Sequence, residues 1–150
     1  MATTQGGSEG AFSAEEKAAI KQYAAEKRAQ AKAAKAADAR EQGIKAALDA
    51  IEALADPDRS LARKIHEIVT SVAPQLDPST WYGFPSYKKD GKVVVFYQPA
   101  AKFKTRYGTL GFQEDAQLDD GPIWPVAYAV IEIGPAEEER IAELVRRAAG

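Results

Sequence analysis

The sequence is poor in the residues that carry most metal and nucleophile chemistry. Its 150 residues include no cysteine, a single histidine (His66) and a single methionine, at position 1. The lack of cysteine excludes disulfides, thiolate zinc sites, iron–sulfur clusters and thiol nucleophiles. One histidine excludes metal sites built from several imidazoles, so oxygen atoms are the main ligands left for any metal.

Long hydrophobic runs and common catalytic motifs are also missing. No apolar run approaches the roughly 18 residues of a membrane span, and no charged-then-apolar leader is present. We therefore expect a cytoplasmic protein with no membrane partner. There is no Gly-rich phosphate loop and no GxSxG motif, so the sequence specifies no catalytic residue. A binding or accessory protein is favoured over an enzyme.

Hydrophobic residues are unevenly distributed. They make up 45% of the chain, but 30 of them are alanine, and only four of the others precede residue 44. Burying a large side chain contributes roughly 1.5–3 kcal/mol, and burying alanine contributes far less. The sequence therefore predicts a domain at 44–149 that can build a core, preceded by a region that cannot.

The N-terminal region is predicted to contain a tail and a helix. Residues 1–12 are rich in Gly, Ser and Thr, which predicts disorder. Ser13 and Glu16 form a capping box, and the Ala-, Lys- and Glu-rich residues that follow have high helix propensity. We expect an Ala-rich helical extension over 13–43, broken at Gly43. A short amphipathic helix then follows, with its apolar residues at Ile44, Leu48, Ile51 and Leu54.

Two further helices are predicted to flank a sheet. The first starts at Asp56-Pro57, where Asp caps the helix and Pro occupies its first position, and it ends before Pro74. The second follows Pro135 near the end of the chain. His66 lies well away from the apolar stripe of its helix, so we predict a surface residue.

Residues 81–133 are predicted to form β-structure. Asp90-Gly91 lies between two strand-like runs, and this is the strongest short-range signal for a hairpin with a type I′ turn. Further strands are expected at 107–112 and 126–133. Helices followed by a cluster of strands and a last helix indicate an α+β fold. We expect an antiparallel sheet of about four to five strands with helices packed on one face.

Aromatic residues are concentrated in the strand region. Eleven of the 13 lie within 81–128, and most are expected to fill the core. Three adjoin a Gly or Pro turn and carry a polar tip, which makes them candidates for lining a small pocket. These pocket candidates are Tyr82, Tyr87 and Trp124.

A basic segment lies in the same region. Residues 88–106 have a net charge of +5, whereas the whole chain is at −2. Lys102, Lys104 and Arg106 alternate with other residues, so they share one face if extended and still cluster in a turn. They could bind phosphate or carboxylate groups. The alternative is an edge strand whose cations prevent aggregation. The acidic overall balance makes nucleic acid an unlikely partner.

An acidic loop supplies the candidate metal ligands. Glu114, Asp115, Asp119 and Asp120 flank a short loop, and carboxylate oxygens suit Ca²⁺, Mg²⁺ or iron. Their spacing matches no EF-hand loop. A solvated loop without metal is the alternative.

Several blocks of residues resemble a known family. The chain over 44–149 is similar to the YdhG-like family, small bacterial domains mostly of unknown function, some of which are labelled frataxin-like iron chaperones. The most specific block is Tyr-Gly-x-Pro-x-Tyr. The matching blocks are Ile44-Lys45-Ala46-Ala47-Leu48, Asp56-Pro57-Asp58-Arg59, Ala73-Pro74, Tyr82-Gly83-Phe84-Pro85-Ser86-Tyr87 and Asp90-Gly91-Lys92.

The resemblance implies a compact α+β fold with an antiparallel sheet, and it implies iron handling. The first functional hypothesis is therefore an accessory protein that binds iron through the acidic loop and passes it to an iron-accepting protein. The second is an anion- or nucleic-acid-binding module that uses the basic segment 102–106. The third is an enzyme with an aromatic pocket. A homodimer through an exposed sheet face or edge is a further option.

Overall fold

The computed structural model describes residues 13–150 of the chain. The tail predicted at 1–12 lies outside the described residues. The chain divides into two compact units, the first ending at Ala39 and the second comprising Arg40–Gly150. The domain boundary predicted between residues 43 and 44 lies a few residues further along the chain.

The described residues form an α+β fold, as predicted. A five-stranded antiparallel sheet has the order β1-β2-β3-β4-β5, so each strand pairs with its neighbour in sequence. None of the helices in residues 13–150 is long and apolar enough to cross a membrane. The elements are α1 (Ala14–Glu52), α2 (Asp58–Val72), β1 (Asp77–Trp81), β2 (Phe84–Lys89), β3 (Lys92–Gln98), α3 (Ala100–Phe103), β4 (Gly108–Phe112), β5 (Ala127–Val130) and α4 (Pro135–Ala149).

In the first unit, the described residues are almost entirely helical. The Ser13 hydroxyl accepts a hydrogen bond from the Glu16 backbone N–H at 3.1 Å, which confirms that Ser13 caps α1. Residues 14–39 include no buried side chain. The high intrinsic helix propensity of this Ala-rich stretch accounts for its local conformation.

The predicted break at Gly43 is wrong, because α1 continues through this residue to Glu52. Gly43 lies against the backbone carbonyl of Pro78 at the start of the sheet, and a Cβ at this position would overlap that oxygen. Ala47 and Ile51 follow on the same helix face and are buried, whereas Leu48 is exposed. The glycine permits a close approach between helix and strand, and the buried face of α1 differs from the predicted stripe.

Arg40 connects this close approach to the chain between α2 and β1. Its guanidinium donates hydrogen bonds to the backbone carbonyls of Pro74 and Leu76, each at 3.1 Å, and it pairs with the Asp77 carboxylate. One side chain of α1 thereby satisfies two carbonyl groups of the connecting segment.

Two tight turns join the first three strands. Asp90 and Gly91 have φ values of 51° and 78°, which confirms the predicted type I′ turn between β2 and β3. Tyr82 and Gly83 form a second turn of the same class between β1 and β2, with φ values of 51° and 79°. A glycine turn beside Tyr82 was expected, but strand β1 and its pairing with β2 were not predicted. Strand β1 contains Pro78 and lies at the sheet edge, where proline is tolerated.

The predicted third and fourth strands are shorter in the structure. Strand β4 begins at Gly108, and β5 ends at Val130 because the chain bends at Ile131. The large core lies on one face of the sheet, where strand residues pack with α2 and α4. Its largest fully buried members include Tyr87, Tyr97, Ile65, Leu110, Val69 and Val145.

Candidate functional site

The sheet face opposite α2 and α4 carries a group of aromatic rings in mutual contact. We call Trp81, Tyr82, Phe84, Phe96 and Phe103 the aromatic cluster. The ring centroids of Trp81 lie 5.0 Å from Tyr82, 5.9 Å from Phe84 and 5.2 Å from Phe96. Phe84 is also 5.6 Å from both Phe96 and Phe103. These tilted and edge-to-face geometries are the favourable ones for aromatic pairs.

Strand alternation explains why these rings share a face. Trp81 pairs directly with Phe84 across the first hairpin, and Ser86, two residues further along, pairs with Phe96. Phe96 in turn pairs with Gly111, whose missing side chain leaves room for the Phe96 ring. Paired residues lie on the same side of a sheet, so the register alone places these rings together.

Tyr82 is the most exposed ring of the aromatic cluster, with a relative exposure of 73%. It occupies the first central position of a type I′ turn, where Asn, Asp or Gly is preferred. The left-handed conformation costs a residue with a Cβ roughly 1–2 kcal/mol. An exposed tyrosine adds little burial to offset that cost. Burial therefore does not account for tyrosine at this position, and we regard Tyr82 as a candidate binding residue.

The basic segment Lys102–Arg106 adjoins the aromatic cluster. The Lys102 amine lies 3.4 Å from the Tyr82 carbonyl oxygen and 5.9 Å from the centroid of the Phe103 ring. Arg106 lies over the ring of Tyr107, with its guanidinium carbon 5.3 Å from the centroid. All three predicted anion-binding residues, Lys102, Lys104 and Arg106, are exposed.

The segment is not an extended strand, so the edge-strand alternative is wrong. Residues Ala100–Phe103 form a single helical turn, and Lys104 ends it in the left-handed conformation with a φ of 54°. The cations therefore lie on a turn beside Phe103, which matches the second of the two arrangements considered from the sequence.

A buried carboxylate holds this turn in place. Asp58, at the start of α2, accepts hydrogen bonds from the backbone N–H groups of Ala100 at 3.2 Å and Ala101 at 3.0 Å. The Tyr97 side chain is also buried, and burial together with the nearby Asp58 charge raises the pKa of its hydroxyl. Sequence reasoning missed this role, because Asp58 and Ala100 are far apart in the chain.

Trp81 of the aromatic cluster also lines an open groove of about 340 Å³. The Lys92 amine and the Asp115 carboxylate, which both line this groove, form an exposed ion pair at 3.7 Å. Glu114 also lines the groove, together with Val93 and Gln113. Carboxylates thus line this groove, whereas the cation of Lys102 lies beside Tyr82 of the aromatic cluster.

The acidic loop does not assemble the predicted metal site. Within residues 13–150, no group of three or more His, Asp or Glu side chains is placed to hold a metal ion. Glu114, Asp115, Asp119 and Asp120 are all exposed. Ala116 and Leu118 are buried between them and anchor the loop, so the two acidic pairs are separated along it.

The predicted pocket residues do not come together either. Tyr82 is exposed at its turn, Tyr87 is completely buried in the core, and Trp124 is half-buried against that core. Tyr87 and Phe84 are an odd number of residues apart on β2, so their side chains lie on opposite faces. Of the three, Tyr82 alone belongs to the aromatic cluster.

His66 is not the simple surface residue predicted from its position on α2. It is half-buried, and its Nδ1 lies 2.9 Å from the Tyr87 hydroxyl, within hydrogen-bond distance. Burial lowers the pKa of His66 and raises the pKa of Tyr87, so both groups favour their neutral forms. No signal in the sequence linked these two residues.

Comparison with protein-family models, with curated proteins and with solved structures finds no match to the chain. The resemblance to the YdhG-like family therefore stays a prediction. The site has to be interpreted from its own geometry and charge.

Proposed function

We propose that the chain binds single-stranded nucleic acid on the aromatic cluster. Bases would stack on the exposed rings around Tyr82, while Lys102, Lys104 and Arg106 would bind the phosphates. The observation that carries this proposal is the exposed ring of Tyr82, which stands on backbone in the unfavourable left-handed conformation. The Lys102 amine lies 3.4 Å from the Tyr82 carbonyl oxygen. Proteins that bind single strands combine such stacking rings with cations along the backbone path.

The local charge supports the proposal more than the net charge opposes it. The chain is at −2 overall, but Lys102, Lys104 and Arg106 place three exposed positive charges in the segment beside the aromatic cluster. At about 0.1 M salt the Debye length is about 10 Å, so exposed charges act mainly on their own neighbourhood. Glu114 and Asp115 line the groove beyond Trp81, so we expect the strand to follow the opposite side, past Tyr82 and the basic segment.

The other two hypotheses lack a comparable observation. Iron handling stays a prediction from the resemblance, since the acidic loop forms no ligand group within the described residues. An enzyme with an aromatic pocket was predicted around Tyr82, Tyr87 and Trp124, and these residues lie apart. Stacking of bases on the aromatic cluster requires neither a group of metal ligands nor a pocket formed by these three residues.

Fluorescence anisotropy of a labelled oligothymidylate of about 16 nucleotides tests the proposal. If three cations contact phosphates, the logarithm of the affinity should fall with a slope of about −2 against the logarithm of salt concentration. Raising salt from about 50 mM to about 200 mM should then weaken binding by about 20-fold. Affinity that is independent of salt would contradict the role of the basic segment.

Substituting Tyr82→Asn isolates the stacking contribution. The variant has an Asn-Gly turn, the preferred type I′ sequence, so it should be at least as stable as the parent. Loss of one stacked base is worth about 1–3 kcal/mol, which corresponds to binding about 5- to 150-fold weaker. A stable Tyr82→Asn protein that binds with unchanged affinity would contradict the proposal.

Asp90→Asn is the matched control. It creates the same Asn-Gly turn in the second hairpin, at the opposite end of β2 from Phe84. Binding should stay within about twofold of the parent, because one exposed charge outside the site is largely screened. A duplex of the same length should bind more weakly than the single strand, because its bases are not free to stack. Equal affinity for the duplex would show that the rings are not used.

A further inference from the structure

The first unit of the chain carries a row of cations that is separate from the basic segment. At about 100° per residue, five basic side chains of α1 fall within about 60° of each other around the helix axis. At roughly 1.5 Å per residue, the row extends over about 27 Å of the helix. All five side chains are exposed. We call these residues the cationic stripe: Lys17, Lys21, Arg28, Lys32 and Lys35.

The acidic side chains lie elsewhere around the same helix. Measured in the same way, every carboxylate of residues 14–39 lies about 90° or more from the centre of the cationic stripe. Within residues 14–39 there is no ion pair, although this stretch contains both lysines and glutamates. Lys27, which is not part of the stripe, lies over the Tyr23 ring. The five cations thus form a face of one charge sign.

This segregation of charge lowers the stability of the helix. Solvated helices gain stability when opposite charges alternate three or four residues apart, and like charges at that spacing destabilise them. The cationic stripe contains three such like-charge pairs: Lys17 with Lys21, Arg28 with Lys32, and Lys32 with Lys35. Helix stability therefore does not account for the arrangement, whereas a polyanionic ligand on this face would offset its cost.

The surroundings of the stripe favour a phosphate backbone over a lipid surface. A helix that lies on a membrane needs an apolar face to enter the lipid boundary. The large apolar side chains of residues 14–39 are Ile20 and Tyr23, and both lie on the acidic side of the helix. A straight row of cations fits one extended strand. Each strand of a duplex winds around its axis and leaves a straight row after a few phosphates.

We propose that the cationic stripe of α1 binds phosphates of a single-stranded nucleic acid. This inference rests on the proposed function, because the strand that stacks on the aromatic cluster supplies the phosphates. No aromatic ring lies within the stripe, so its contacts need no stacked base. Every nucleotide carries a phosphate, so these contacts add affinity without adding sequence preference.

The salt dependence of binding counts the phosphate contacts. The three cations of the basic segment account for a slope of about −2, at about −0.7 per contact, and five further contacts would bring the slope to about −5.6. Fluorescence anisotropy with a labelled oligothymidylate of about 60 nucleotides measures this value between about 50 mM and about 200 mM salt. Such a strand spans roughly 200 Å at about 3.4 Å per nucleotide, so it is long enough to contact both surfaces.

Neutralising part of the stripe should make this slope shallower. The variant Arg28→Gln/Lys32→Gln/Lys35→Gln removes three cations, and glutamine has a helix propensity close to that of lysine and arginine. Its slope should be shallower than that of the parent by about 2. The same fourfold increase in salt should therefore weaken its binding about 20-fold less than it weakens binding of the parent.

The matched control removes the same number of charges outside the stripe. Lys45→Gln/Arg146→Gln/Arg147→Gln neutralises three exposed cations on helices α1 and α4, so its net charge equals that of the stripe variant. Its slope should stay within about 0.5 of the parent value, because these cations contact no phosphate. Equal slopes for the two triple variants would overturn the inference.

Tyr82→Asn separates this inference from the proposed function. It removes a stacking ring and no charge, so it should weaken binding of the long strand and leave the slope at the parent value. If Tyr82→Asn has no effect while the stripe variant loses slope, the stripe is supported and stacking on the aromatic cluster is contradicted. If Tyr82→Asn weakens binding while the stripe variant keeps the parent slope, the inference about the stripe alone is wrong.

Discussion

Replacing Gly43 with alanine distinguishes two interpretations of this glycine. If Gly43 were only a weak point in a helix, alanine would stabilise the protein by about 1 kcal/mol through its higher helix propensity. The structure predicts the opposite sign. A Cβ at residue 43 overlaps the Pro78 carbonyl oxygen, and this oxygen belongs to the backbone of β1, so it cannot rotate away.

The magnitude follows from two opposing contributions. Forcing extra volume into a close contact costs about 1–3 kcal/mol, and occasionally more. Moving α1 away from the sheet would also lengthen the hydrogen bonds from Arg40 to the Pro74 and Leu76 carbonyls, now 3.1 Å each. A charged donor contributes about 1.5–3 kcal/mol per bond, less where it is partly exposed, as here. After subtraction of the helix-propensity gain, we expect a net loss of about 1–3 kcal/mol.

Urea denaturation of the full chain, followed by circular dichroism, measures this difference. In a protein of this size, each 1 kcal/mol should also lower the melting temperature by about 2–4 °C. Gln42→Ala, at the neighbouring exposed position of α1, should change stability by less than about 0.5 kcal/mol. If Gly43→Ala raises the unfolding free energy, the close approach of α1 to Pro78 is wrong.

Three other predictions follow from buried polar groups. Burial lowers the pKa of His66, so the stability that its neutral form contributes is present above about pH 6.5 and is lost as the pH falls below that value. Urea melts of the parent should therefore show a lower free energy of unfolding at about pH 5 than at about pH 7, and His66→Asn should show a smaller difference. Asp58→Ala should lower the unfolding free energy by about 2–4 kcal/mol in the same assay, because it leaves the Ala100 and Ala101 N–H groups without their acceptor. Ser86 is fully buried and its hydroxyl has no hydrogen-bond partner in the described structure, so Ser86→Ala should leave the melting temperature unchanged or raise it, and a fall of more than about 3 °C would contradict this.

Part of the candidate site could be predicted from the sequence. The basic segment and Tyr82 were both identified, since charge runs and a tyrosine beside a glycine turn are visible in the chain itself. The other members of the aromatic cluster were assigned to the core, and Phe84 is indeed buried, at 3% exposure. Its alternation with Tyr87 on β2 was a usable signal for a second sheet face, but it required strand β1 and the register of the first hairpin, which were missed.

Sequence alone determined the features that depend on neighbouring residues. These are the Ser13 cap, the type I′ turn at Asp90-Gly91, the start of α4 at Pro135 and the α+β order of elements. Each arises from backbone preferences or hydrogen bonds within a few residues, so a local pattern is sufficient to predict it.

Only the tertiary structure decided which distant groups meet. Gly43 has its role because Pro78 approaches it, and Asp58 because Ala100 lies at its carboxylate. The same holds for the separation of the acidic pairs around the buried Leu118, which leaves the predicted metal ligands apart. Such contacts depend on how helices and strands pack around a common core, and packing joins residues that no local preference relates.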